Sequence, residues 1–116
     1  MISILMSKMM VNFFQLPEPL PTTEQFDPLL ETANFRLERI ISTGQITPPG
    51  QWYDQGQDEW VILIQGEACL EFEDGSQKVL KAGDHVLIPA HQKHRVTFTS
   101  SYPPCLWLAL HGELTV

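Results

Sequence analysis

Between Gln51 and His111 the chain breaks into short strand-forming runs, each closed by a turn signal. The runs are Gln51–Tyr53, Trp60–Gln65, Ala68–Glu73, Gln77–Leu80, His85–Ile88, His94–Thr99 and Leu106–His111. The breaks are Pro48-Pro49-Gly50, Gly56, Gln65-Gly66, Asp74-Gly75, Ala82-Gly83-Asp84, Pro89 and Pro103-Pro104. "EDGS" after the alternating "CLEFE" is a hairpin signal, because Asp-Gly takes the left-handed conformations a tight turn needs. Many short strands with this punctuation specify an all-β sandwich or barrel. Upstream, "FRLERIIS" alternates and predicts a strand over residues 35–42. Phe35, Leu37, Arg39 and Ile41 then share one face, and Arg36, Glu38, Ile40 and Ser42 the other. Leu29 to Ala33 is compatible with one helical turn. No internal repeat or low-complexity tract competes with this reading.

Residues 15–28, "QLPEPLPTTEQFDP", hold four prolines. Proline fixes φ and removes a backbone donor, so this stretch reads as an extended arm lying along a sheet edge or a partner subunit. Residues 1–34 are therefore expected to form an N-terminal arm and residues 35–116 the folded domain. The opening "MISILMSKMMVNFF" is interrupted by Ser7 and Lys8, shows no clear cleavage site and is too short to span a bilayer, so no membrane association is expected. Met10 is a natural alternative start. At 116 residues the chain buries a single core without staples. Seven Lys+Arg against fourteen Asp+Glu, a net charge of −7, argue against nucleic acid as a partner. Cys69 and Cys105 lie in apolar stretches without metal-ligand spacing. They read as buried free thiols, which agrees with a reducing cytoplasm.

Two motifs then stand out: Glu59-x6-Gly66 continuing into "GEACLEF", and Gly83-x5-Pro89-x-His91-x2-His94. With the strand pattern, they make residues 35–111 resemble a small single-domain cupin. The resemblance implies a cupin-like antiparallel β-barrel, a jelly roll of two facing sheets, and a homodimer assisted by the arm. Metal cupins carry His-x-His shortly before the glutamate. Here the equivalent positions are Trp52 and Asp54, or Tyr53 and Gln55, depending on the gap. The motif's glutamate is Glu59, and its second-motif histidine is His94. His91 stands where the family usually has glycine.

The resemblance makes Asp54, Glu59 and His94 the candidate metal ligands. Two carboxylates and one imidazole suit Zn, Mn or Fe(II) with open positions for substrate. Gln55 in place of Asp54 gives a weaker, neutral ligand, and His91 is a candidate fourth. Without metal, Glu59 and His94 either serve as an acid/base pair for isomerisation or hydrogen-bond across a closed interior. Alternation places His94, Val96 and Phe98 on one face and Glu59, Val61 and Leu63 on another, so both polar groups are expected in one layer near the mouth. Trp52, Tyr53, Gln55, Trp60, His91, Phe98 and Trp107 are the candidate pocket lining. His111 shares a face with Trp107 and Ala109 but reads as structural or exposed, and Lys93 and Arg95 read as solvated surface charges. The expected function is binding a small-molecule ligand, with metal-dependent catalysis on a small polar or sugar-like substrate. The alternative is a non-enzymatic ligand-binding or sensor barrel with a degenerate metal site.

Overall fold

The computed structural model describes residues 12–115, so the alternative start at Met10 lies outside the described residues. Eight strands follow in order: β1 (Gln25–Glu31), β2 (Phe35–Ser42), β3 (Asp58–Gln65), β4 (Glu67–Phe72), β5 (Gln77–Lys81), β6 (His85–Ile88), β7 (His94–Thr99) and β8 (Cys105–Gly112). They form a five-stranded sheet, β1-β2-β8-β3-β6, facing a three-stranded sheet, β5-β4-β7, with all pairings antiparallel. The two sheets face each other without closing into one continuous barrel, a jelly-roll sandwich of the expected cupin type. Among the described residues no helix is long and apolar enough to cross a membrane.

Period-two alternation builds the core. Val61 and Leu63 of β3, Ala68 and Leu70 of β4, and Cys105, Trp107 and Ala109 of β8 meet between the sheets with Ile40, Leu80 and Ile88. Cys105 is buried as expected, whereas Cys69 is only half-buried; both thiols are free. The crossing from one sheet to the other, between β3 and β4, depends on Gly66. Its φ is +95°, and a Cβ there would lie 2.8 Å from Ser100 Oγ and 2.9 Å from Cys105 Sγ.

Four local expectations change. The sheet begins at Gln25, within the stretch assigned to the arm, because β1 pairs along β2 from Gln25↔Ile41 to Glu31↔Arg36. Pro28 is tolerated because β1 is an edge strand, where a missing N–H breaks no ladder. No helical turn forms at Leu29 to Ala33. Instead Thr32 Oγ1 accepts from the N–H groups of Asn34 and Phe35, at 3.0 and 3.1 Å, and reverses the chain into a hairpin. Gln51–Tyr53 is not a strand either. Only Tyr53 pairs, through reciprocal backbone hydrogen bonds with His94 of 2.8 and 3.1 Å.

The fourth change concerns Phe98. Opposite β4, Leu70 pairs with Val96 and Cys69 with Phe98, so Thr97 is an extra residue in β7. This bulge reverses the alternation. Phe98 turns outward, 50% exposed, and Thr99 turns inward and is buried.

Candidate functional site

At one end of the sandwich the sheets enclose a cavity of about 310 Å³. Its apolar wall is Ile40, Val61, Leu70, Ile88, Val96 and Trp107, and its polar groups are Glu24, Arg36, Glu38, Tyr53, Gln55, Glu59, His94 and His111. Three neighbouring strands supply the buried polar layer. Glu59 of β3 lies opposite His111 of β8, while Glu38 projects from the cavity face of β2. His94 enters from the start of β7 on the facing sheet.

Glu59 Oε1 lies 3.7 Å from His94 Nε2, and Glu59 Oε2 lies 3.9 Å from His111 Nε2. His111 Nε2 makes its close contact, 2.9 Å, with Glu38 Oε1. Burial holds the Glu59 carboxyl above its ordinary value, against the pull of His111 and His94; nearby Glu38 raises it further. His94 Nδ1 is 2.9 Å from the carbonyl oxygen of Gln92. A carbonyl only accepts, so Nδ1 carries a hydrogen, and in the neutral ring the lone pair is on Nε2, facing Glu59. Tyr53 stacks on this imidazole, with ring centroids 5.5 Å apart and planes at 27°. Burial, followed by the negative charge of Glu24, raises the pKa of the Tyr53 hydroxyl.

Of the residues singled out from the sequence, Tyr53, Gln55, Glu59, His94 and Trp107 come together at this cavity. Trp52, Asp54, Trp60, His91 and Phe98 do not line it. Of the two alternatives left by the gap before Glu59, Tyr53 and Gln55 are the pair that faces in. Asp54 instead meets His91, Oδ1 to Nδ1 at 2.9 Å, with the side chains 44% and 73% exposed. His91 sits in a left-handed turn at φ 64° and points away from the cavity lining. Trp60 has the opposite parity to Glu59 and donates its Nε1–H to His85 Nδ1 at 3.2 Å. Trp52 lies under the Arg95 guanidinium, 5.6 Å from ring centroid to Cζ. Arg95 is therefore not a free surface charge: it is half-buried, with Nε 3.0 Å from Glu71 Oε1 but off the hydrogen-bond line. Lys93 is more exposed and lies 3.5 Å from Glu73.

His111, Glu38, Glu24 and Arg36 are the site residues that sequence reasoning missed. Alternation did put Glu38 with Arg36 and Ile40, and His111 with Trp107. The missing information was the register that sets β2, β8 and β3 side by side. The expected ligand set Asp54, Glu59 and His94 is not assembled, because Asp54 is turned out to His91. Among the described residues no group of three or more His, Cys, Asp or Glu side chains is placed to hold a metal ion. The expected Zn, Mn or Fe centre of Asp54, Glu59 and His94 is thus not formed, its first donor lying outside the cavity.

Residues 38–111 match the family model described as "Cupin domain". A crystal structure of a putative mannose-6-phosphate isomerase from Ralstonia eutropha JMP134 superposes with a TM-score of 0.82 at 44% identity, covering 88% of this chain and 95% of that one. A cupin superfamily protein from Desulfitobacterium hafniense DCB-2 shares the fold at a TM-score of 0.66 and 16% identity, over 84% of this chain and 94% of that one. Among curated proteins, "Uncharacterized protein YdbB" of Bacillus subtilis (strain 168) is 33% identical over 75 residues, 60% of this chain; the match spans 64% of that relative's length. Two facing antiparallel sheets, a glutamate and a histidine converging from the two motifs, and a family match over most of the strands lead to one assignment: the chain belongs to the cupin domain family.

Proposed function

We propose that this cupin binds a small polar, sugar-like carbonyl compound and shifts a proton within it, an isomerase-type reaction. The observation that carries the reading is the pair in the cavity wall: the buried Glu59 carboxyl, 3.7 Å from an imidazole nitrogen whose lone pair the Gln92 carbonyl fixes in place. That distance is too long for a hydrogen bond, so neither group is consumed by the other and both are available to a substrate. His94 Nε2 takes the proton from the carbon beside the carbonyl, and Glu59, whose burial favours the protonated form, acts as the acid and gives its proton to the carbonyl oxygen. The resulting enediol collapses when His94 returns its proton to the neighbouring carbon and Glu59 recovers one from the adjacent hydroxyl. The step is redox-neutral and consumes nothing. The 44% identical Ralstonia protein, whose name is that of an isomerase, supports the reaction class. A homodimer in a cytoplasmic setting completes the proposal.

The test is proton exchange. A panel of free, aminated and phosphorylated aldoses and ketoses is incubated with the protein in D2O, and deuterium at the carbon beside the carbonyl is read by proton NMR. Exchange should appear for at least one member and fall by about a hundredfold in Glu59→Gln and in His94→Ala, the usual size of a general acid–base contribution. Binding without exchange would replace this reading with that of a ligand-binding or sensor domain.

A further inference from the structure

Part of the cavity wall lies outside the residues that match the family model. Glu24, Phe26 and Arg36 precede residue 38, and all three line the cavity. The N-terminal arm therefore does more than cover a sheet edge. Glu24 is held by a relay from the core: Trp107 Nε1–H donates to Ser42 Oγ at 3.0 Å, and the Ser42 hydroxyl donates to Glu24 Oε2 at 2.7 Å. Ser42 and Trp107 are both buried, so the orientation of this carboxylate is set before any ligand arrives.

The charge inventory of the cavity is uneven. Glu24, Glu38 and Glu59 face it, and among the described residues Arg36 is the one lysine or arginine in its wall. Arg36 Nε lies 3.7 Å from Glu38 Oε2, an ion pair without a hydrogen bond, so three carboxyls share a single guanidinium. Glu38 also has His111, and Glu59 has His94 and His111 beside it. Glu24 has the Ser42 hydroxyl as its hydrogen bond among the described residues, and the charge of Glu38 opposes its own. A neutral hydroxyl placed there leaves that repulsion intact, and a phosphate adds to it. An ammonium group offsets it, and the rings of Phe26, Tyr53 and Trp107 in the same wall favour a cation further.

We propose that Glu24 is a specificity-determining residue that seats a protonated amine, so that the cavity takes a small organic cation in preference to a neutral or phosphorylated molecule of the same frame. The inference rests on reading this cavity as the ligand site, and not on the proton transfer assigned to Glu59 and His94. Burial holds the Glu24 carboxyl above its ordinary value, against the Ser42 bond and with Glu38 and Glu59 adding to the rise; a ligand ammonium relieves those charges.

Calorimetric titration of the full chain tests it with two matched sets: glucosamine, glucose and glucose 6-phosphate, then propylamine, propanol and propyl phosphate, at low salt and a pH where both amines are charged. In at least one frame the amine should bind about tenfold or more tighter than its neutral and phosphorylated counterparts, the effect of roughly one well-placed charge contact. Glu24→Gln should abolish that preference while keeping the affinity for the neutral member. Ser42→Ala, which frees the carboxylate from its relay, should reduce the preference without abolishing it. The proposal is overturned if neither amine binds, if a phosphate binds as tightly as its amine, or if Glu24→Gln keeps the preference. Amine preference without deuterium exchange would refute the isomerase reading alone, and exchange confined to phosphorylated sugars would refute this one alone.

Discussion

Two carboxyls on the cavity wall act on stability in the opposite sense to most acidic groups. Glu24 and Glu59 both have pKa values raised above 4.5, chiefly by burial, so the folded state holds their protons more tightly than the unfolded chain does. The stability this confers is complete below the unfolded value and is lost as pH rises through the folded one. Asp58 works the other way. Its carboxylate accepts from the N–H groups of Ala90 and Leu114, at 2.8 and 2.9 Å, which lowers its pKa below 3.8. Its contribution is present above 3.8 and is lost as pH falls through the lowered value. The double variant Glu24→Gln/Glu59→Gln should therefore gain in melting temperature relative to the parent as pH rises from 4.5 towards neutrality. A scanning-calorimetry series in which the difference stays constant across that range would contradict the assignment. Asp54 makes the complementary case. Because it is turned outward to His91, Asp54→Ala should change unfolding free energy by no more than about 0.5 kcal/mol and leave deuterium exchange intact. Loss of exchange in that variant would return Asp54 to the site.

At the scale of elements, the bulge in β7 and the crossing at Gly66 decide which side chains reach the cavity. Before the bulge, His94 and Val96 face inward as alternation dictates; after it, the inward position passes from Phe98 to Thr99. Thr99 Oγ1 then donates to the Gln45 carbonyl at 2.6 Å, which ties the end of β7 to the segment after β2. Gly66 turns the chain from the five-stranded to the three-stranded sheet, with Ser100 and Cys105 packed where a Cβ would stand. Gly66→Ala should cost about 3 kcal/mol, since a left-handed backbone carrying a side chain is strained and here also clashes with its neighbours. Urea unfolding measures this, and an unchanged midpoint would mean that the turn adjusts freely. Gly75 provides a control: its φ is also positive, at +88°, but nothing lies within 4 Å of the place a Cβ would take, so Gly75→Ala should cost clearly less.

For the molecule as a whole, β1 is one of the sheet edges, as β6 is at the other end of the same sheet. Strand β1 has a partner on one side only, β2, and Phe26 and Leu30 are 50% and 52% exposed along it. An open edge carrying apolar side chains is a template for pairing with another chain. Buried Arg39 fixes the arm to this end of the sheet. Its guanidinium donates to Asp27 Oδ2 at 3.0 and 2.7 Å and reaches the carbonyl of Phe13 at 2.7 Å. The full-length chain should therefore sediment as a dimer, and Phe26→Glu/Leu30→Glu should shift it towards monomer. A monomer across the accessible concentration range would remove the dimer proposal.

Alternation and turn chemistry are local properties, so the sequence by itself determined the all-β class, the strands from Phe35 onward other than the expected Gln51–Tyr53, the inward faces of β3 and β8, and the cupin motifs that pair Glu59 with His94. It also left Asp54 and Gln55 as open alternatives, because parity before a strand depends on where the backbone bends. Only the tertiary structure decided that Gln55 faces in while Asp54 binds His91, that a bulge turns Phe98 out, and that Glu38 and His111 join the polar layer. It also brought Glu24 to the cavity from outside the motifs. These outcomes depend on register between strands distant in sequence: Glu38 and His111 are 73 residues apart. A contact at that separation leaves no periodicity in either segment, because each strand's pattern records which face is buried and not which neighbour lies across it.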